Sequence, residues 1–166
     1  MSFLGKLFNT SSDEWVYIGS DEYIADYYNL KTIEICKDPQ PRITVDCKRV
    51  YTNKGRKKLF NYWETKYLSN DEINDIHHSY TGYIYNYNDR KMAWEMTLLV
   101  TTYASRSDKI IVGYMFQTDD IKPGTVDDKI LDKYVYYPSE CNEIIKPGTI
   151  NEAILNKIIK DYNIQT

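Results

Sequence analysis

The chain has 166 residues, a net charge of -3 and 27% charged residues, so one domain can bury its own core without metal or disulfide staples. A surface dedicated to nucleic acid would be clearly basic, and this charge balance argues against a nucleic-acid partner. Three cysteines, Cys36, Cys47 and Cys141, form neither a short metal-ligand spacing nor an even disulfide framework, and they favour a reducing compartment.

Residues 1–12 read as a flexible N-terminal segment, although Phe3, Leu4, Leu7 and Phe8 could form one apolar turn. That run is too short for a signal-peptide core, and no later window approaches the roughly 20 apolar residues of a membrane span. As written, the sequence reads as cytoplasmic; it would be exported or at the cell surface if a signal segment had preceded it. Trp15-Val16-Tyr17-Ile18 predicts a strand ended by Gly19-Ser20-Asp21, and Tyr23 to Tyr28 a second. Thr32 to Cys36 and Arg42 to Thr52 flank Asp38-Pro39-Gln40-Pro41, where two residues without a backbone N–H fix a loop, so a hairpin is expected. With that loop at its centre, Cys36 falls near Ile43 and Cys47 near Thr32, too far out of register for a disulfide.

From Asn53 the period changes. Leu59, Phe60, Trp63, Tyr67 and Leu68 recur at helical spacing, with Lys54, Arg56, Lys57 and Lys58 on or near the first turn of an amphipathic helix. Ser69 and Glu72 have the spacing of a capping box that starts a short helical turn before His77 and His78. Tyr80 to Gln117 then predicts an antiparallel meander. Its aromatic and β-branched runs are separated by Asn88-Asp89-Arg90-Lys91 and Ser105-Arg106-Ser107-Asp108. A turn centred between Asp89 and Arg90 sets Met92, Trp94 and Met96 opposite Tyr87, Tyr85 and Tyr83. Beyond the Lys122-Pro123-Gly124 turn, Thr125 and Asp128 are placed to cap a short helix carrying Val126, Ile130 and Leu131. The clearest helix follows Lys146-Pro147-Gly148: Thr149 and Glu152 form a capping box, and Ile150, Ile154, Ile158 and Tyr162 make an apolar stripe that must cover a sheet. These elements define an α+β fold within a single domain, residues 1–166. Its antiparallel sheet has about six strands, from the meander and N-terminal hairpins, with a mid-chain and a C-terminal helix packed on it.

Candidate chemistry is sparse. His77-His78 would bind one metal only from a turn, because adjacent side chains of a strand point to opposite faces, and no HExxH or CxxC spacing supports a metal. They are expected as surface histidines in a loop. No signature of a cysteine nucleophile surrounds any thiol: Cys47 continues the alternation Ile43, Val45 as a small hydrophobe, and Cys141 is expected as an exposed thiol in a loop. Gly55-Arg56-Lys57-Lys58 lacks the flanking residues of a phosphate-binding loop, which leaves a solvated basic face or an anion site. Tyr83, Tyr85 and Trp94 form an aromatic face that is either core beneath a helix or, if open, a stacking platform. No metal, cofactor or catalytic residue is predicted, so the chain reads as non-enzymatic.

Trp15-Val16-Tyr17-Ile18-Gly19 followed by Tyr23-Ile24-Ala25-Asp26 resembles the opening of the bacterial surface-adhesin E family. Val45 to Thr52 with Gly55-Arg56 looks like its central strand running into a helix, and Ile145 to Thr149 with Glu152 is similar to its terminal helix start. The chain departs where the resemblance would put tryptophan, at Asp46 and Arg49, and lacks the cysteines it would put near Asn88 and Asp161. The resemblance implies a sheet with a C-terminal helix and a binding role toward other proteins, with no catalytic residues. The leading expectation is a protein-binding module. The alternative is a small-ligand or anion site built from Arg56, Lys57 and Lys58 with Tyr83, Tyr85 and Trp94.

Overall fold

The computed structural model describes residues 14–59, 68–116, 134–137 and 141–166. Its strands are β1 (Trp15–Ser20), β2 (Ile24–Asn29), β3 (Glu34–Cys36), β4 (Arg42–Tyr51), β5 (His78–Asn88), β6 (Ala93–Ala104), β7 (Ile110–Phe116), β8 (Tyr134–Tyr137) and β9 (Cys141–Ile144). Its α-helices are α1 (Asn53–Leu59), α2 (Asn70–Asp75) and α3 (Ile150–Asp161). The strands join one sheet in the order β1-β2-β4-β5-β6-β7-β8, antiparallel except for the β7–β8 pair. The α+β class, the antiparallel meander and the C-terminal helix are therefore as expected, and β8 and β9 add to the anticipated strands.

Two long strands organise the sheet because each serves two short ones along a single edge. β4 pairs with β2 over Cys47–Tyr51 and with β3 over Arg42–Thr44. Between them the chain leaves the sheet through a 3-10 turn, Leu30–Thr32, where Asn29 accepts a hydrogen bond from Lys31 N–H. The gap in the ladder is filled by Thr32, whose Oγ1 accepts the Asp46 N–H at 3.0 Å, so a buried backbone donor is satisfied. β6 repeats the device, pairing with β9 over Glu95–Leu98 and with β7 over Val100–Ala104.

In the meander the register differs from the sequence reading in a way that leaves the faces intact. Tyr83, Tyr85 and Tyr87 pair with Leu98, Met96 and Trp94, a shift of two residues, because the turn extends to Met92 at φ 50° and Lys91 N–H bonds Asn88 Oδ1. An even shift keeps each side chain on its expected face. On β3 the difference is one residue: Cys36 pairs with Arg42 and lies on the face opposite Ile43, while Cys47 pairs with Tyr28, and both thiols are free.

One face of the sheet carries two apolar clusters. At one end Ile154, Leu155 and Ile158 of α3 cover Tyr28, Ile43, Val45, Cys47 and Tyr85. At the other, Leu59 of α1 with Ile73 and Ile76 packs on Tyr51, Tyr103 and Tyr114. Gly55 is required where α1 passes the residue preceding β2, since a Cβ there would overlap the Tyr23 carbonyl oxygen. The capping box of Ser69 and Glu72 forms as read. Thr149 caps α3 by accepting the Glu152 N–H, but the Glu152 carboxylate accepts from Gly148 rather than closing onto Thr149. Tyr162, expected in the apolar stripe, is the C-cap residue and is exposed; Leu155 takes the buried place. Cys141 begins β9 instead of lying in a loop. Phe60, Trp63 and Tyr67, and the short helix expected after Thr125, lie outside the described residues.

Replacing Ile154 by alanine should therefore lower unfolding stability by about 2–5 kcal/mol, whereas Tyr162→Ala should stay within about 0.5 kcal/mol, both read from urea denaturation midpoints.

Candidate functional site

Between the two apolar clusters the same sheet face turns polar. Cross-strand pairing sets Asp26 of β2, Arg49 of β4 and Ser79 of β5 side by side, with Thr81 and Thr101 in the next row. Arg49 Nε donates to Asp26 Oδ1 at 2.7 Å and Nη2 to Oδ2 at 3.0 Å, a two-point ion pair. The Asp26 side chain is 6% exposed and that of Arg49 41%, so the carboxylate forms the base and the guanidinium opens outward. Burial works against the Arg49 charge, but the hydrogen bonds and charge of Asp26 outweigh it and hold the guanidinium protonated. Among the described residues Asp26 is its hydrogen-bond partner, which leaves donors on Nη1 for the space above.

That space is a cleft of about 360 Å³. Hydroxyls furnish the floor: Tyr51 OH lies 3.0 Å from Ser79 Oγ, and Thr81 Oγ1 lies 3.3 Å from Thr101 Oγ1. Ile150, Asn151 and Ile154 of α3 form one wall. Asn151 is oriented by Tyr85, whose OH donates to its Oδ1 at 2.9 Å. The opposite rim is Lys58, whose Nζ sits 3.2 Å from the centre of the Tyr23 ring, a cation–π contact that fixes an otherwise mobile ammonium.

The predicted site residues do not meet in one place. Tyr85 is fully buried under α3, with a phenol pushed well up by burial, so no ring face is left for stacking and its reading as a binding residue is corrected to core. Trp94 is half-buried, edge-on to Tyr87 at 5.6 Å, and packs against the α3 cluster. Tyr83 stacks on Tyr85 at 6.0 Å and lines the cleft. Lys58 joins it at the rim, Lys57 is exposed on neither wall, and Arg56 turns away to the Ile76 carbonyl. Arg49 and Asp26 were missed. The signal was available: both interrupt apolar alternations, Val45-Cys47-Arg49-Tyr51 and Ile24-Asp26-Tyr28, with a charge on the core-facing phase.

Cys47 is buried among these groups and burial holds its thiol protonated, consistent with a packing role. Of the histidine pair expected in a surface loop, His77 does lie in the connection between α2 and β5, half-buried, whereas His78 does not. His78 opens β5, is buried, and its Nε2 lies 2.7 Å from Asp108 Oδ1; Tyr80 OH donates to the same oxygen at 2.8 Å. Asp108 occupies a left-handed φ of 63° in the β6–β7 turn, a conformation that aspartate tolerates better than most residues. Burial opposes its charge, but the Tyr80 and His78 hydrogen bonds prevail and hold the carboxyl below its ordinary range. An ionised Asp108 only accepts, so His78 Nε2 carries the proton. A neutral His78 then accepts at Nδ1 from His77 Nδ1, 2.8 Å away. Both histidines are held below their ordinary range, first by burial, and are neutral in the fold. Among the described residues no cluster of three or more ligating side chains is placed to hold a metal ion.

These features define an α+β domain with a ligand-sized polar cleft on the helix-covered face of its sheet. Comparisons with family models, curated proteins and solved structures returned no match to this chain. Among the described residues no helix is long and apolar enough to cross a membrane.

The histidine pair generates a pH prediction. With folded-state values below those of the unfolded chain, the unfolded state takes up more protons, so stability is full above about pH 6.5 and falls as pH drops through the folded values. Urea midpoints should decline as pH falls below about 6.5, and His78→Gln should flatten that slope; a wild-type midpoint independent of pH would contradict the assignment.

Proposed function

We propose that the chain is a binding module of the surface-adhesin E-like kind, acting by recognition and not by catalysis, and that the cleft over Arg49 seats a carboxylate-bearing side chain of a partner protein. The observation that carries this reading is the anchored guanidinium. Asp26 holds two of its nitrogens, so its orientation is set before any ligand arrives, and little side-chain entropy remains to be lost on binding. Nη1 then offers a charge-assisted hydrogen bond, and the Ser79, Thr81 and Thr101 hydroxyls supply donors or acceptors as needed. Because Asp26 balances the Arg49 charge, selectivity for an anion comes from geometry and from Lys58 at the rim. The adhesin-like motifs of β1, β4 and the α3 start favour a protein as the partner.

A second reading has its own support. At about 360 Å³ the cleft lies at the small end of the roughly 300–1,000 Å³ typical of small-molecule pockets, which suits a free carboxylate or a sugar. Affinity capture and a thermal-shift screen with carboxylates and sugars separate the two readings, since a ligand present at 100 times its dissociation constant adds about 2.7 kcal/mol of stability. In either case Arg49→Gln should weaken binding by about tenfold or more, while Lys57→Gln should leave it unchanged. Binding that survives Arg49→Gln intact would overturn the placement of the site.

A further inference from the structure

A second concavity of about 600 Å³ lies away from the cleft, bounded by Arg56 of α1, Asn74 and Asp75 at the end of α2, His77, and the β6–β7 turn with Ser105, Arg106, Ser107 and Lys109. We propose that this hollow is a separate site for a small-molecule phosphate or similar tetrahedral oxyanion, strengthened when His77 takes up a proton.

Three permanent cations from two parts of the chain converge on the hollow against one lining carboxylate, Asp75. Arg56 is held in place by the Ile76 carbonyl, which its Nη1 reaches at 3.4 Å, and by Asn53 Oδ1. Arg106 and Lys109 project from a turn whose backbone is closed by Ser105 N–H to Lys109 O and Asp108 N–H to Ser105 O. Among the described residues neither side chain has an ion-pair partner. Ser105 and Ser107 share a hydrogen bond, with hydroxyl oxygens 3.1 Å apart, and the hydroxyl proton not used in it adds a neutral donor. Three cations and two serines lining one hollow suit an oxyanion that accepts several hydrogen bonds at once, as a phosphate does.

His77 supplies the proton linkage. Its charged form is opposed by burial and then by Arg106, Lys48 and Arg56, with Asp108 in favour, so the field at the ring is net positive. Asp108 is already engaged by His78 and Tyr80, His78 lies behind His77, and Lys109 and Asp75 are the other charged groups lining the hollow. An arriving anion offsets that field and favours the charged ring. The hydrogen-bond chain accepts the change without rearrangement: His77 Nδ1 continues to donate to His78, and the added proton goes to Nε2, converting an acceptor into a donor.

Isothermal titration with inorganic phosphate tests the site, and titration with sulfate at constant ionic strength tests the linkage, because sulfate keeps its charge between about pH 5.5 and about pH 8. Saturable phosphate binding is expected, lost by about tenfold or more in the Arg106→Gln, Lys109→Gln double variant, whose changes are on an exposed turn and spare the core. Sulfate should bind more tightly at the lower pH, and His77→Gln should abolish that difference. Arg49→Gln should leave phosphate binding intact, so failure here and failure of the cleft reading are distinguishable. Non-saturable heats, or wild-type affinity in the double variant, would overturn the site; a pH ratio that persists in His77→Gln would overturn the linkage.

Discussion

The Arg49–Asp26 pair sets the layout of the covered sheet face. A bidentate ion pair in the middle of that face cannot be capped by an apolar helix side, because water removed from the exposed guanidinium edge would have to be replaced by equally good partners. The helices accordingly pack to either side of it. α3 takes the end built from Tyr28, Ile43, Val45 and Tyr85, and α1 with α2 takes the end built from Tyr51, Tyr103 and Tyr114. The cleft is what remains between them, and its hydroxyl floor follows from the same constraint, since Ser79, Thr81 and Thr101 lie beside the charges where apolar side chains would gain little. Chain economy reinforces this. β4 carries Arg49 on a strand long enough to be pinned by β2, β3 and β5, so the guanidinium rests on a rigid base.

Much of this was legible in the sequence where a local rule and the tertiary arrangement agreed. The meander strands, the Ser69 capping box, the Thr149 cap and the buried face of α3 follow from period and capping chemistry, which act within a few residues. The hairpin register was less legible because Asn88 closes a longer turn onto Lys91 than the residue types alone indicate. β8 and β9 are four residues each, too short for alternation to declare itself, and β9 pairs back with β6 across two intervening strands. The site was legible in part. Tyr83 and Lys58 belong to the cleft, but Tyr85 and Trp94 proved to be packing residues, because an aromatic run looks the same in sequence whether a helix covers it or not. Arg56 and Lys58, two positions apart, leave the helix in different directions and so serve different concavities.

Two polar features thus involve residues of α1, and they differ in kind. At the cleft, a charge is fixed by its own counter-charge. At the hollow, cations gather with little opposing charge, and the hydrogen-bonded series Asp108–His78–His77, of which His78 is buried, adjoins it. His78 also ties the first residue of β5 to the β6–β7 turn, so the network beside the hollow is part of the framework that holds the sheet's end together.

The central claim, that Arg49 is held ready by Asp26 at the floor of an open cleft, is tested most directly by side-chain nitrogen NMR of the arginines in the unliganded protein. The account predicts an Arg49 Nε–H resonance resolved from the solvent-exposed arginines, slow to exchange with water and rigid in its heteronuclear NOE, and collapsing toward the others in Asp26→Asn. An Arg49 signal that exchanges and averages like a surface arginine in the wild-type chain would contradict it.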